Sequence, residues 1–234
     1  MTQGTTVPSP VGAAIGRCIG IGLMNSLWRP RVLGAWRVPA TGPLILAGNH
    51  THNLDGPMLI GTCPRPVHFL VKKEAFIGPL NPFLRSIGQL QVDRSSADRT
   101  AVTTALGVLE RGGVLGIFPE GRRGEGDFAE LRSGIAYFAV RSGAPVVPVA
   151  VLGSARAGRM IPALPPLRFA PLRLCSWIWP SDAKLRIDVV FGAPFEAGDS
   201  SGKRTRTALD AATTRIQERL AAHLEYARRA TGRL

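Results

Sequence analysis

The 234-residue chain carries 29 Lys and Arg residues against 16 Asp and Glu, a formal charge of +13, with 45% hydrophobic and 6% aromatic residues. That length and apolar fraction suit one α/β domain with a real core, and exclude a disulfide scaffold, a collagen-like repeat and wholesale disorder. Only Lys72, Lys73, Lys184 and Lys203 are lysines. An arginine-rich excess favours a polyanionic partner: nucleic acid, an anionic membrane or a phosphorylated substrate. Cys18, Cys63 and Cys175 form no CxxC pair and read as buried or incidental thiols in a reducing compartment.

Residues 1–10 are polar, with Pro8 and Pro10, and are expected to be disordered. Over 11–38, Ile15, Ile19, Leu23 and Leu27 recur at spacing four, with Met24 and Trp28 beside them, which gives an amphipathic helical face. Arg17, Arg29, Arg31 and Arg37 make the stretch purely basic. Such a segment can lie on an anionic bilayer or dock on its own domain, while Gly12, Gly16, Gly20 and Gly22 weaken the helix. Arg17 interrupts the apolar run, so no spanning helix is expected, and without a charged n-region or a clear small-residue cleavage site no secretory signal is expected either.

From residue 43 short apolar runs alternate with helical patterns: 43–48, 67–71, 88–92, 114–118, 146–152 and 184–191 read as strands. The best helix follows Ser95, a candidate cap with Asp98 three residues on. Val102, Ala105, Leu106 and Leu109 share its face, and Gly112-Gly113 stop it. Another spans about 132–141, and an amphipathic basic helix follows Lys203. The region 153–171 reads as a long Pro- and Gly-rich excursion. The expected fold is a single α/β domain at 39–234, with a mostly parallel central sheet flanked by helices, preceded by the N-terminal helical segment 1–38.

In such sheets ligands gather at the carboxyl ends of strands. There the chain places Asn49-His50 and, five residues on, Asp55. A carboxylate folded back onto one imidazole nitrogen fixes the tautomer and leaves the other nitrogen to take a proton from a hydroxyl. The turn after 114–118 carries Glu120, Gly121, Arg122 and Arg123, whose arginines suit phosphate oxygens, and Asp93-Arg94 ends another strand.

The ordered set "NHTHNLDG", "GQLQVDR", "FPEGRR" and "APVVPV" resembles the four blocks of the glycerolipid acyltransferase family. His50 and Asp55 match the first block, Gly88 and Arg94 the second. Phe118, Pro119, Glu120, Gly121 and Arg123 match the third, and Val147, Pro148 and Val149 the fourth; Arg132 and Gly134 match a basic step between the last two. Arg122 and Gly124 stand where the family usually has threonine and serine, and Arg122 adds charge and bulk.

The resemblance implies an acyltransferase in which His50, oriented by Asp55, deprotonates the free hydroxyl of lysophosphatidic acid, a related lysophospholipid or glycerol 3-phosphate. The hydroxyl oxygen then attacks the thioester of acyl-CoA or acyl carrier protein, with no acyl-enzyme. Arg94 and Arg123 would hold the acceptor phosphate, with Arg122 beside them, and Glu120 the glycerol portion. Asn49, Gly88, Arg132 and Pro148 are secondary candidates. Phe76, Leu80, Phe83 and Leu84 are candidates for an acyl groove, or equally for plain core. No cofactor or metal is expected, and the enzyme would work peripherally on an anionic membrane surface at the cytoplasmic face of the cell membrane.

Other readings have less behind them. A metal-dependent hydrolase of His-x-His-x-Asp-His type wants Asp and His where the chain has Leu54 and Asp55, and His68 and His223 lack ligand spacing. Nucleic-acid binding lacks a stacking motif among the four tryptophans and two tyrosines. A non-catalytic membrane-surface protein would have no need of both His50 and Asp55. No G-x-S-x-G elbow is present.

Overall fold

The computed structural model describes residues 7–95, 98–159, 186–198 and 205–233. Residues 1–6, the part of the expected excursion beyond residue 159, Cys175, and Lys184 and Leu185 of the expected strand 184–191 lie outside them.

The chain enters α1 (Pro10–Leu27) with proline in its first turn, where a missing N–H is harmless. There follow β1 (Arg29–Leu33), β2 (Leu44–Gly48), α2 (Asp55–Thr62), β3 (Val67–Lys72), α3 (Leu80–Ser86), β4 (Leu90–Val92), α4 (Arg99–Glu110), β5 (Val114–Ile117), α5 (Gly134–Ser142), β6 (Val146–Leu152), α6 (Ser154–Arg159), β7 (Arg186–Phe191) and α7 (Arg206–Thr231).

The strands form one sheet in the order β1-β7-β6-β2-β5-β3-β4. Every pairing is parallel except β6 with β7. Central strands are apolar on both sides because helices cover both faces. Thus Ile45 and Ala47 of β2 face a core shared with Ala105, Leu109, Phe138, Ile216 and Leu220, while Leu44 and Leu46 face one shared with Met24, Met58, Leu59 and Phe69. The mostly parallel α/β architecture is the one expected from the alternating pattern.

Residues 154–159, expected to belong to the excursion, instead form the short helix α6. Three further details differ from expectation. Residues 29–33 are not helical: they form the edge strand β1, in register with β7, and Arg31 Nε donates at 2.6 Å to Asp188, which is 1% exposed. Asp98, not Ser95, caps α4, its Oδ1 accepting from Ala101 N at 2.9 Å. Asp98 thus sets the helix start through a carboxylate rather than a hydroxyl.

The third difference is the orientation of α1. Its small residues turn inward: Ala13, Gly16 and Gly20 are buried with Met24. A Cβ on Gly20 would lie 3.0 Å from the backbone N of Gly61 in α2, so the two helices cross at backbone distance. Arg17 Nε donates to Cys63 O at 2.6 Å, capping the end of α2. The bulky face points out, with Val11, Ile15, Ile19 and Leu23 exposed by 66, 54, 45 and 39%. Docking uses the glycine face and leaves the isoleucine face on the surface. Among the described residues no helix is long and apolar enough to cross a membrane.

Candidate active site

β2, β5 and β3 run parallel, so Asn49-His50, Phe118-Pro119-Glu120 and Lys72 all emerge at one sheet edge. Leaving β2, the chain makes a tight turn closed by Asp55 N donating to His52 O at 3.1 Å, and enters α2 at Asp55 itself. Asp55 Oδ2 gathers three donors: Thr51 N and His52 N at 2.7 Å each, and His50 Nδ1 at 3.1 Å. The carboxylate is fully buried, and its place in the first turn of α2 is favourable for negative charge. With Nδ1 committed to the carboxylate, Nε2 is the nitrogen left for a substrate, on a side chain 18% exposed. His52 is spoken for differently, its Nδ1 accepting from Leu54 N at 3.2 Å.

The imidazole lies flat against Phe118, ring centroids 4.2 Å apart and planes 16° off parallel, and Phe118 in turn stacks on Phe69 at 5.2 Å. The loop after β5 grips the His50 peptide at both ends: Glu120 Oε1 accepts from His50 N at 3.3 Å, and Gly124 N donates to His50 O at 3.0 Å. Burial pushes the Glu120 carboxyl up to about 7, against the His50 N–H bond that lowers it, with Asp127 and Asp55 adding repulsion. Near neutrality this group is shared between its acid and its anion, so it can accept from or donate to a substrate hydroxyl.

Arg94 reaches this loop from the end of β4 and donates through Nη1 to Gly121 O. Burial, then the neighbouring Arg132 guanidinium, lowers the Arg94 pKa from its ordinary value. Arg132 lies across the Cα of Gly121, whose φ of +70° and crowded Cβ position both call for glycine. Two guanidiniums held close together make a site for an anion. Arg123 is exposed on the same loop, whereas Arg122 leans on Glu130 at 3.7 Å and is 79% exposed. Lys73 pairs with Asp93, and that bond, followed by those from Ser95, holds the Asp93 carboxyl down at about 2.

The secondary candidates hold the frame. Asn49, 1% exposed, pairs with both backbone groups of Val151, Nδ2 to O at 3.1 Å and N to Oδ1 at 2.7 Å, extending the β2–β6 pairing past the strand end. Gly88, at φ +74°, offers its carbonyl to the buried His68 Nδ1 at 2.7 Å and so sets the start of β4. Pro148 sits within β6 opposite Ala47 and accepts Gly192 N at 2.8 Å. Sequence reasoning missed Thr51 and Ser154, whose hydroxyls meet at 3.0 Å across the ends of β2 and β6. A small polar residue two positions after the end of β6 was the available signal. Of the groove candidates, Phe76 is buried while Leu80 and Phe83 are exposed by 43 and 41%.

A mostly parallel sheet with a histidine–carboxylate pair and arginines gathered at its carboxyl edge is the arrangement of an α/β enzyme, and such a pair has the geometry that general-base chemistry needs. Residues 29–152, more than half of the chain, match the family model described as Acyltransferase, and the chain belongs to that family. It is 31% identical over 125 residues to a 1-acyl-sn-glycerol-3-phosphate acyltransferase of Bacillus subtilis (strain 168), covering 53% of this chain and 62% of that protein. A protein of the same name from Borreliella burgdorferi is 31% identical over 136 residues, covering 56% of this chain and 54% of that one. The match thus spans less than two-thirds of the length of either relative. The fold is that of the 1-acyl-sn-glycerophosphate (LPA) acyltransferase PlsC from Thermotoga maritima, with a TM-score of 0.62 at 21% identity, over 92% of this chain and 78% of that one.

Proposed function

We propose that this protein transfers a fatty acyl group from a thioester, acyl-CoA or acyl carrier protein, to the free hydroxyl of lysophosphatidic acid. The observation that carries the reading is the buried Asp55 carboxylate on His50 Nδ1, beside the Arg94–Arg132 pair on the same edge. The names of the two curated relatives support the acceptor.

In the reaction His50 Nε2 takes the proton of the acceptor hydroxyl as its oxygen attacks the thioester carbonyl. The tetrahedral intermediate collapses with loss of the thiolate, which takes the proton back from His50. The protonated ring that forms in between is paired with Asp55, and Phe118 fixes its plane. Arg94, with Arg132 and Arg123 beside it, binds the acceptor phosphate, and Glu120 orients the glycerol. Arg122, turned toward Glu130, is left for a larger or more anionic head group. No metal or prosthetic group takes part.

The exposed apolar face of α1 and the exposed Leu80 and Phe83 of α3 support peripheral contact with a membrane. The surface proposed is the anionic cytoplasmic face of the cell membrane, where a lysolipid acceptor is presented. Arg17 and Arg31 are bound within the domain, so the apolar stripe bears more of this contact than those two charges. Thiol release from an acyl thioester, measured against lysophosphatidic acid, glycerol 3-phosphate and other lysophospholipids, tests the assignment. Release that depends on lysophosphatidic acid supports it; dependence on glycerol 3-phosphate alone moves the acceptor; no acceptor dependence removes the reading.

A further inference from the structure

Gln217 belongs to α7, far in sequence from every motif that builds the site. Its side-chain amide nevertheless donates to two consecutive carbonyls at the far end of the loop after β5, Phe128 O at 2.9 Å and Ala129 O at 2.8 Å. One NH2 has two hydrogens, so each carbonyl receives one. Phe128 is the single non-glycine residue with positive φ among those described, at +61°, and its ring is 2% exposed inside the core under α7 and α5. A bulky side chain in the left-handed region is disfavoured and persists only where its surroundings over-determine it. Here two things do so: the buried ring, and the amide on the Phe128 and Ala129 carbonyls.

The consequence runs back along the loop to the histidine. Because the chain reverses at Phe128, Gly126 at φ +69° seats against Asn49 and Thr51, where a Cβ would lie 2.5 Å from Thr51 Cγ2. From that seat Gly124 N reaches His50 O, and Glu120 accepts His50 N. Arg132 N closes the loop base on Pro119 O at 2.9 Å. The Arg132 contact fixes the base, and the glycine seats fix the middle. Beyond the packing of the Phe128 ring, the Gln217 amide is, among the described residues, the one side chain from outside the loop that hydrogen-bonds the Phe128–Ala129 end.

We propose that Gln217 is a positioning residue: by holding the left-handed turn at Phe128 it keeps the loop closed over His50, with Glu120 and the arginines in place for the acceptor. The inference rests on the acyl-transfer reading for its effect on acceptor binding, but not for its effect on the loop.

The test uses the full-length protein with Gln217→Met, which keeps length and bulk but has no donor, and Gln217→Lys, which restores an N–H donor of similar reach. Hydrogen exchange is followed by mass spectrometry on peptides covering 119–132, alongside KM for lysophosphatidic acid and for the thioester. In the Met variant, exchange of the loop peptides and acceptor KM should each rise about tenfold, the scale of two lost hydrogen bonds. Thioester KM and exchange in β2, β5 and β6 should stay within about twofold of the parent, and the Lys variant should recover both losses. Loop exchange unchanged by Gln217→Met, exchange raised equally across α7 and the sheet, or a Lys variant no better than Met would each overturn the proposal. If the parent shows no acceptor-dependent turnover, the acyl-transfer reading fails, and the exchange comparison alone still decides the role of Gln217.

Discussion

Replacing Asp55 by asparagine removes one charge while keeping the size of the side chain. In the parent, Oδ2 accepts from Thr51 N, His52 N and His50 Nδ1, and Oδ1 makes no hydrogen bond among the described residues. An asparagine keeps the first two bonds only with its oxygen in the Oδ2 position, which puts the NH2 into the dry Oδ1 position. Burying those donors without partners costs about 1–3 kcal/mol, or a midpoint lowered by roughly 3–10 °C for a domain of this size. The larger effect is on rate. As His50 takes the proton, a positive ring forms 3.1 Å from the carboxylate, an attraction of about 5 kcal/mol at an effective dielectric near 20. A neutral amide returns about 1 kcal/mol of that through a hydrogen bond. Turnover should therefore fall by about three powers of ten, read as thiol release at saturating acceptor, with circular dichroism confirming a folded protein. A folded Asp55→Asn protein within tenfold of parental turnover would refute the assignment of this pair.

Asn49→Ala should destabilise by about 2–4 kcal/mol in urea unfolding, because both Val151 backbone groups lose their partner inside the protein; a loss below about 1 kcal/mol would contradict that accounting. Glu120→Gln should flatten the pH dependence of stability. With its carboxyl raised from 4.5 to about 7, the folded parent holds more protons than the unfolded chain across that window, so parental stability falls as pH rises through it. Midpoints at pH 5 and pH 8 check this, and equal losses in parent and variant would count against it. Changing Ile15, Ile19 and Leu23 together to serine should leave the thermal midpoint nearly unchanged, since all three are exposed, yet cut sedimentation with phosphatidylglycerol vesicles by about tenfold or more. Undiminished sedimentation would take the membrane contact away from α1.

The strands from β2 onward and the histidine–carboxylate pair were legible because they are local. Continuous apolar runs mark a sheet covered on both faces, and a strand end followed by His50 and Asp55 lets one turn bring the two together. The placing of α1 was not legible, because hydropathy ranks Ile15 and Ile19 above Gly16 and Gly20 as packing residues. What decides the docked face is instead the backbone approach that Gly20 and Gly61 permit. β1 was read as helix continuation because "RPRVL" carries no strand pattern of its own; its pairing is with β7, over 150 residues later, and is supported by Arg31 on Asp188. Asn49 stood out in the motif as a site residue, yet its amide mimics backbone for Val151. Gln217 left no trace, since an isolated glutamine on an amphipathic helix looks like solvated surface until the fold brings Phe128 beneath it.

The acyl-transfer assignment is tested most directly by product mass. Parent protein incubated with an acyl thioester and lysophosphatidic acid should yield phosphatidic acid carrying the donor's chain, in step with free thiol. His50→Ala, folded by circular dichroism, should lower that yield by about two to four powers of ten. Thiol release with no diacyl product, or a His50→Ala protein that forms it at the parental rate, would contradict general-base acyl transfer at this sheet edge.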